Sequence, residues 1–197
     1  MNERPYVLAE SNWKIVDPTP YAAAILPWGA TEPHNYHLPY GTDNVQAEQV
    51  AVRAAERAWS RGARVVVLPT VPFGVNTTQL DLKLCISLNP GTQAALLRDV
   101  VSSLDGQGIH KLLILNGHGG NDFRQIIREL QPSTRVFLSA INWWSCVDVS
   151  NVTPQASRSG PRVDERGPMG MPICDPAVSF SDCGSMNAIN LPPRRTN

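Results

Sequence analysis

Carboxylates and imidazoles able to bind a divalent metal gather in two short stretches of this chain. TEPHNYHLPYGTD, positions 31–43, holds Glu32, His34, His37 and Asp43. NGHGGN, positions 116–121, holds His118. Glu32 precedes Pro33, and the residue before a proline is pushed to extended backbone. In an extended segment, residues i and i+2 face the same side. Glu32 and His34 can therefore present a carboxylate and an imidazole to one point. Asp43 returns at the expected start of a helix. His118 is flanked by Gly117, Gly119 and Gly120, which allow tight turns and close approach to a ligand. Two carboxylates and two imidazoles suit Zn²⁺ or Mn²⁺, which accept mixed nitrogen and oxygen ligands. One aspartate can bridge two ions. A two-metal centre can generate hydroxide near neutral pH and polarise a carbonyl, the chemistry of amide hydrolysis.

Each residue also has a plainer reading. A loop Asp, Glu or His is often only solvated or capping, and Asp43 sits where a helix N-cap is expected. His37 reads as a hydrogen-bond partner behind the ligands or as exposed. His110 reads as structural or surface.

The elements around these residues alternate between strand and helix. Residues 22–28, AAAILPW, read as a buried strand, and Asn44–Ser60 as a helix with Gly62 past its end. Arg64–Pro69 reads as a β-branched strand. A long polar loop, Pro72–Gly91, follows; a functional segment and a plain surface connection are equally good readings of it. Thr92–Leu104 reads as a helix capped by Thr92, with Leu96, Val100 and Leu104 on one face. Lys111–Leu115 is a strand running into NGHGGN, Asp122–Leu130 a helix and Arg135–Trp143 a strand. Trp143 and Trp144 are read as core packing, and Cys85 as buried and inert. The alternation predicts an α/β domain with a mainly parallel sheet and helices on both faces. Ligands collect at the carboxyl ends of such strands, where both loaded loops fall.

The chain has 197 residues, 17 basic and 17 acidic, for a formal net charge of zero. That balance argues against a nucleic-acid partner. No run of ~18 apolar residues suggests a membrane span. The first residues show no basic segment leading into an apolar one, so no signal peptide is expected. Cys85, Cys146, Cys174 and Cys183 form no CxxC pair and read as free thiols. A cytoplasmic protein is expected. No nucleotide-binding glycine motif is present, so no nucleotide cofactor is expected.

Composition shifts near residue 146. Residues 1–146 hold 10 of the 17 prolines, whereas the 51 residues 147–197 hold the other 7 and a single leucine. That segment reads as Pro/Gly/Ser-rich and poorly ordered. Its Arg194 and Arg195 read as solvated charge.

The two motifs resemble the signatures of the creatininase (creatinine amidohydrolase) family. LPWGATEPHNYHLPYGTD, positions 26–43, is similar to PxGSxEQHGxHLPLxTD, and NGHGGN to the second signature. The resemblance covers about residues 20–145. It implies a three-layer αβα fold with a binuclear metal centre. It implies hydrolysis of a C–N bond in a small cyclic or formyl amide, with a metal-bound hydroxide near Asp43 as nucleophile, and homo-oligomers. Family members include ring-opening creatininase, formamide hydrolases and a peptidase of cofactor maturation. By motif position, Glu32 and His34 would each bind a different metal. Asp43 would bridge the two ions, and His118 would complete the site with Glu32.

The departures point the other way. Creatininase itself carries glutamate two residues after the second-motif histidine, where this chain has Gly120. Other members take that carboxylate, and a proton-transfer histidine, from a later HAGExETS-like motif. This sequence has no such motif and no histidine after His118. Asp148, Asp164, Glu165, Asp175 and Asp182 lie in no matching context. The sequence therefore supports two expectations: a metal-dependent amidohydrolase, or a truncated non-catalytic homologue binding at most one metal ion. A frame-shifted or unrelated ending is expected from about Ser145. If so, another reading frame past that point would encode HAGExETS-like text.

Overall fold

The computed structural model describes residues 4–146. Among these residues, four strands form one sheet: β1 (Ala23–Trp28), β2 (Val65–Val67), β3 (Lys111–Asn116) and β4 (Phe137–Asn142). Their order is β2-β1-β3-β4, and every pairing is parallel. Four helices accompany them: α1 (Trp13–Val16), α2 (Thr42–Ser60), α3 (Pro90–Gly106) and α4 (Arg124–Leu130). The expected α/β class and its mainly parallel sheet are what the chain adopts.

The layers follow from strand alternation. In β1, Ala24, Leu26 and Trp28 point to one side, where they meet Leu112 and Ile114 of β3. Leu97, Val101 and Leu104 of α3 and Ile126 and Leu130 of α4 cover that face. Ile25 and Leu115 point to the other side, against Ala51, Val52 and Ala55 of α2. Strands covered on both faces carry apolar residues almost continuously, which is why AAILPW and KLLIL show no polar alternation. Trp28 is fully buried; its indole N–H donates to the Phe73 carbonyl at 2.9 Å. Its ring meets Phe123 edge-on, with centroids 5.0 Å apart.

Several element ends differ from the sequence expectation. α2 begins at Thr42, with Gly41 at the N-cap position. Asp43 lies inside the first turn and makes no capping bond, because both its carboxylate oxygens face imidazoles. α3 begins at Pro90, before Thr92; Asn89 occupies the N-cap position. Proline fits the first helical position, where its missing N–H costs nothing. The buried face of α3 is Gln93, Leu97, Val101 and Leu104, with Leu96 and Val100 only partly buried beside it. The polar Gln93 hid that face in the pattern; it is buried because it donates to Asn121 Oδ1 at 2.9 Å.

β4 ends at Asn142, and Trp143–Cys146 forms a 3-10 turn rather than strand. Trp143 packs into the α2 side of the core with Trp144 against it, as expected. α1 and a 3-10 turn at Leu8–Glu10 precede β1; neither is long enough to leave a periodic pattern. The expectations for 147–197, including the unrelated ending, Asp148, Asp164, Glu165, Asp175, Asp182, Arg194 and Arg195, lie outside the described residues.

Candidate metal centre

The central strands β1 and β3 are neighbours, so the loops leaving their carboxyl ends emerge side by side. The first loop delivers Glu32 and His34 and then enters α2, whose first turn carries Asp43. The second delivers His118. The β3 loop reaches α2 because position 117 is glycine. A Cβ there would lie 2.7 Å from the Asp43 carbonyl oxygen and 3.0 Å from Ala47 Cβ.

Three of the four expected residues converge tightly. Glu32, Asp43 and His118 each offer a ligand atom, all within 4.8 Å of one another. His118 Nδ1 lies 3.0 Å from Asp43 Oδ2 and 3.1 Å from Glu32 Oε1. All three side chains are buried, with exposures of 3%, 6% and 7% for His118, Asp43 and Glu32. His34, half-buried, takes the other oxygen of Asp43: its Nε2 lies 3.0 Å from Oδ1 and 3.9 Å from Glu32 Oε1. Asp43 thus stands between two imidazoles, one on each oxygen.

The far nitrogens of both rings are committed. His118 Nε2 donates to the Val75 carbonyl at 3.1 Å, and His34 Nδ1 to the Glu32 carbonyl at 3.1 Å. A carbonyl only accepts, so these nitrogens must carry protons. The near nitrogens are left to hold either a second proton or a cation. Metal-ligating histidines commonly donate the other ring N–H to a carbonyl or carboxylate in this way. The donor set therefore fits a divalent ion: oxygen and nitrogen ligands, a buried position and rings already oriented.

Without a metal, protons take that place. Burial alone would lower the His118 pKa. Hydrogen bonds to Asp43 and Glu32, and their charges, outweigh it and push His118 up to about 10. His34 is also raised, since Asp43 and the Glu32 carbonyl outweigh its burial. Burial would raise Asp43, yet its bonds to His118 and His34 hold it below the usual carboxylate range.

A pH dependence follows. A cation must displace the protons on the near nitrogens, so metal affinity is expected to climb with pH. The gain is about tenfold per pH unit for each proton displaced. Zinc titrations at pH 6, 7 and 8 check this, and a flat profile would contradict it. The metal-free fold should show the opposite trend. A raised folded pKa stabilises fully below the ordinary 6.5 and is lost as pH climbs through about 10.

Polar residues that the metal reading passed over hold the site in place. Asn116 accepts from the His118 backbone N–H at 3.1 Å and donates to the His118 carbonyl at 2.8 Å. Asn121 donates to Asn116 Oδ1 at 3.0 Å and accepts from the Val75 N–H at 3.0 Å. Val75 is therefore gripped at both ends, by Asn121 and by His118. Gln79 donates to Glu32 Oε2 at 2.6 Å. The two asparagines stand within NGHGGN, but Gln79 lies in the Pro72–Gly91 loop and no local pattern marks it. That loop thus touches the site rather than merely connecting elements. Val75, Asn76, Gln79, His118 and Gly120 help line a cavity of ≈ 230 Å³ beside the cluster.

Other expected residues stand apart. His37 is exposed on the first loop rather than behind the ligands. His110 is partly exposed, 3.5 Å from Asp105 Oδ1. Cys85 is half-buried rather than buried; desolvation and the nearby Glu32 and Asp81 charges keep its thiol pKa raised.

A parallel three-layer α/β fold thus places carboxylates and imidazoles together at the ends of its central strands, as a candidate metal site. The chain belongs to the creatininase family: the family model for creatinine amidohydrolase matches residues 9–165. The match begins earlier and ends later than the stretch from about 20 to 145 that carries the sequence resemblance.

Among curated proteins, a mycofactocin precursor peptide peptidase from Mycobacterium ulcerans (strain Agy99) is 27% identical over 124 residues. That alignment covers 60% of this chain and 49% of the relative. A creatinine amidohydrolase from Pseudomonas putida is 29% identical over 102 residues, 49% of this chain and 37% of the relative. The chain thus spans half or less of these relatives' lengths. A solved protein from Bacteroides fragilis NCTC 9343, provisionally described as a creatinine amidohydrolase, superposes with a TM-score of 0.74 at 46% identity. It covers 77% of this chain and 61% of that one. Two creatininase structures, a Zn–Zn type and an Mn form, share the fold at TM-score 0.65 with 22% and 21% identity. Each covers 78% of this chain and 66% of that one.

Proposed function

We propose that this chain is a divalent-metal amidohydrolase acting on the C–N bond of a small cyclic or formyl amide. One observation carries the reading. Both imidazoles spend their far nitrogens on main-chain carbonyls and aim their near nitrogens at one aspartate. Glu32, Asp43 and His118 would hold one ion, and His34 with Asp43 would face a second position. Zinc and manganese both suit this donor set. A bound ion would supply Lewis acidity toward the amide carbonyl and make water more acidic. The chain's own residues do the rest. Asp43 fixes the spacing of the two imidazoles, Val75 and the Glu32 carbonyl lock the rings, and buried walls keep solvent from the carboxylates. The cavity beside His118 is of a size for a small substrate. A cytoplasmic setting, small-molecule substrates and homo-oligomers belong to the same reading. Among the described residues, no helix is long and apolar enough to cross a membrane.

A second reading has an observation of its own. Among the described residues, only Glu32, Asp43 and His118 form a group of three or more metal-type side chains. The position at His34 has two such donors there. A non-catalytic homologue holding at most one ion follows from that count. Metal content per chain, with an assay of amide hydrolysis, separates the two. Two tightly held ions with turnover support the enzyme. One weakly held ion without turnover supports the non-catalytic homologue.

A further inference from the structure

We propose that Gln79 is a positioning residue for Glu32, fixing which carboxylate oxygen faces the metal position; this rests on the metal-centre reading above. Gln79 is buried, although Thr77, Thr78 and Leu80 around it are exposed. Its side chain therefore turns inward from an otherwise outward-facing loop. Turns hold its backbone: its N–H donates to the Asn76 carbonyl at 3.0 Å, and its carbonyl accepts from Leu82 at 3.1 Å. The side-chain amide then donates to Glu32 Oε2 at 2.6 Å. A carboxylate accepts only, so the amide orientation is fixed, with nitrogen toward Glu32 and Oε1 away.

That leaves Glu32 divided. Oε2 is occupied by the amide, and Oε1 faces His118 Nδ1 at 3.1 Å. A carboxylate held by one oxygen is presented to a cation through the other. Freed of the amide, Glu32 could turn both oxygens to the ion or swing away. The arrangement also has a cost. Gln79 Oε1 is buried and, among the described residues, has no hydrogen-bond partner. An unpaired buried acceptor is destabilising, so fold stability alone is a poor reason for a glutamine here. Partners that orient metal ligands are worth roughly 10–100-fold in metal affinity.

The test uses the full chain and two variants. Gln79→Met keeps the side-chain length without an N–H donor, and Gln79→Asn keeps the amide one methylene shorter. Three quantities are read: zinc affinity by competition with a chromophoric chelator, the visible spectrum of the cobalt(II) form, and the metal-free thermal midpoint. We expect Gln79→Met to lose about 10–100-fold in zinc affinity. Its cobalt bands should change as Glu32 alters its coordination, while the metal-free midpoint holds. Gln79→Asn should fall between, and it carries the test if Gln79→Met does not fold. Wild-type affinity and spectrum in either folded variant would overturn the proposal. So would a loss of affinity that only tracks lost metal-free stability, with an unchanged spectrum. A wild-type chain that takes up neither zinc nor cobalt would refute the metal-centre reading itself, and this proposal with it.

Discussion

Asp43→Ala is expected to abolish tight metal binding, lowering zinc affinity by well over the ~100-fold typical of an outer partner. Among the described residues, Asp43 is the side chain within hydrogen-bond distance of both imidazoles, at 3.0 Å on each oxygen. The two rings do not lose equally. His118 keeps Glu32 Oε1 at 3.1 Å, whereas the next carboxylate to His34 is Glu32 at 3.9 Å. Any residual ion should therefore sit with Glu32 and His118. The metal-free fold should also weaken, because removing one partner of a buried charged pair costs about 3–5 kcal/mol. Asp43→Asn separates the two effects. The amide fills the same space but cannot offer two anionic oxygens. Zinc titration of a well-folded Asp43→Asn chain should show the same loss. Unchanged zinc affinity in that variant would remove Asp43 from the site.

Gly120→Ala is the smallest substitution with a comparable expected effect. A Cβ at 120 would lie 2.2 Å from the Val75 carbonyl oxygen and 2.5 Å from His118 Nε2. Those are the two atoms of the hydrogen bond that orients the His118 ring. The methyl group must part them. Overpacking costs about 1–3 kcal/mol, and a lost buried hydrogen bond adds about 1–3 kcal/mol. Zinc affinity should drop at least about tenfold, since the partner that fixes the ring is lost. Gly91→Ala, with no atom of the described residues within 4 Å of its added Cβ, is the control and should leave both properties near wild type. Thermal unfolding and zinc titration of both variants check this. A Gly120→Ala chain with wild-type stability would contradict the close approach. The same geometry bears on the departure from creatininase, which resembles this chain but carries glutamate at this position. In this conformation the space for any side chain at 120 is already filled by Val75 and His118.

The main elements were legible because long apolar runs and glycine or proline punctuation mark them locally. β1 and β3 show as continuous apolar segments, and α2 shows through its length and the Gly62 beyond it. Where polar residues are buried, the local pattern misleads. Gln93 breaks the apolar stripe of α3, so the pattern points to Leu96 and Val100, whereas Leu97 and Val101 are the buried residues. Asp43 looked like an N-cap because its position in sequence matched one, and its real partners lie nine residues back and seventy-five residues on.

The sequence by itself determined the fold class, the family and the four side chains on which the site reading rests. Those depend on residue type and local spacing, which sequence carries directly. Only the tertiary structure decided which oxygen of Asp43 meets which imidazole, and which ring nitrogens are already spent. It alone brought Val75 and Gln79 against His118 and Glu32, from a loop with no motif. The physical reason is that β1 and β3 pair as neighbours. The loops beyond them meet only when the parallel sheet has formed, and a hydrogen bond between residues 47 positions apart leaves no periodic trace in the chain.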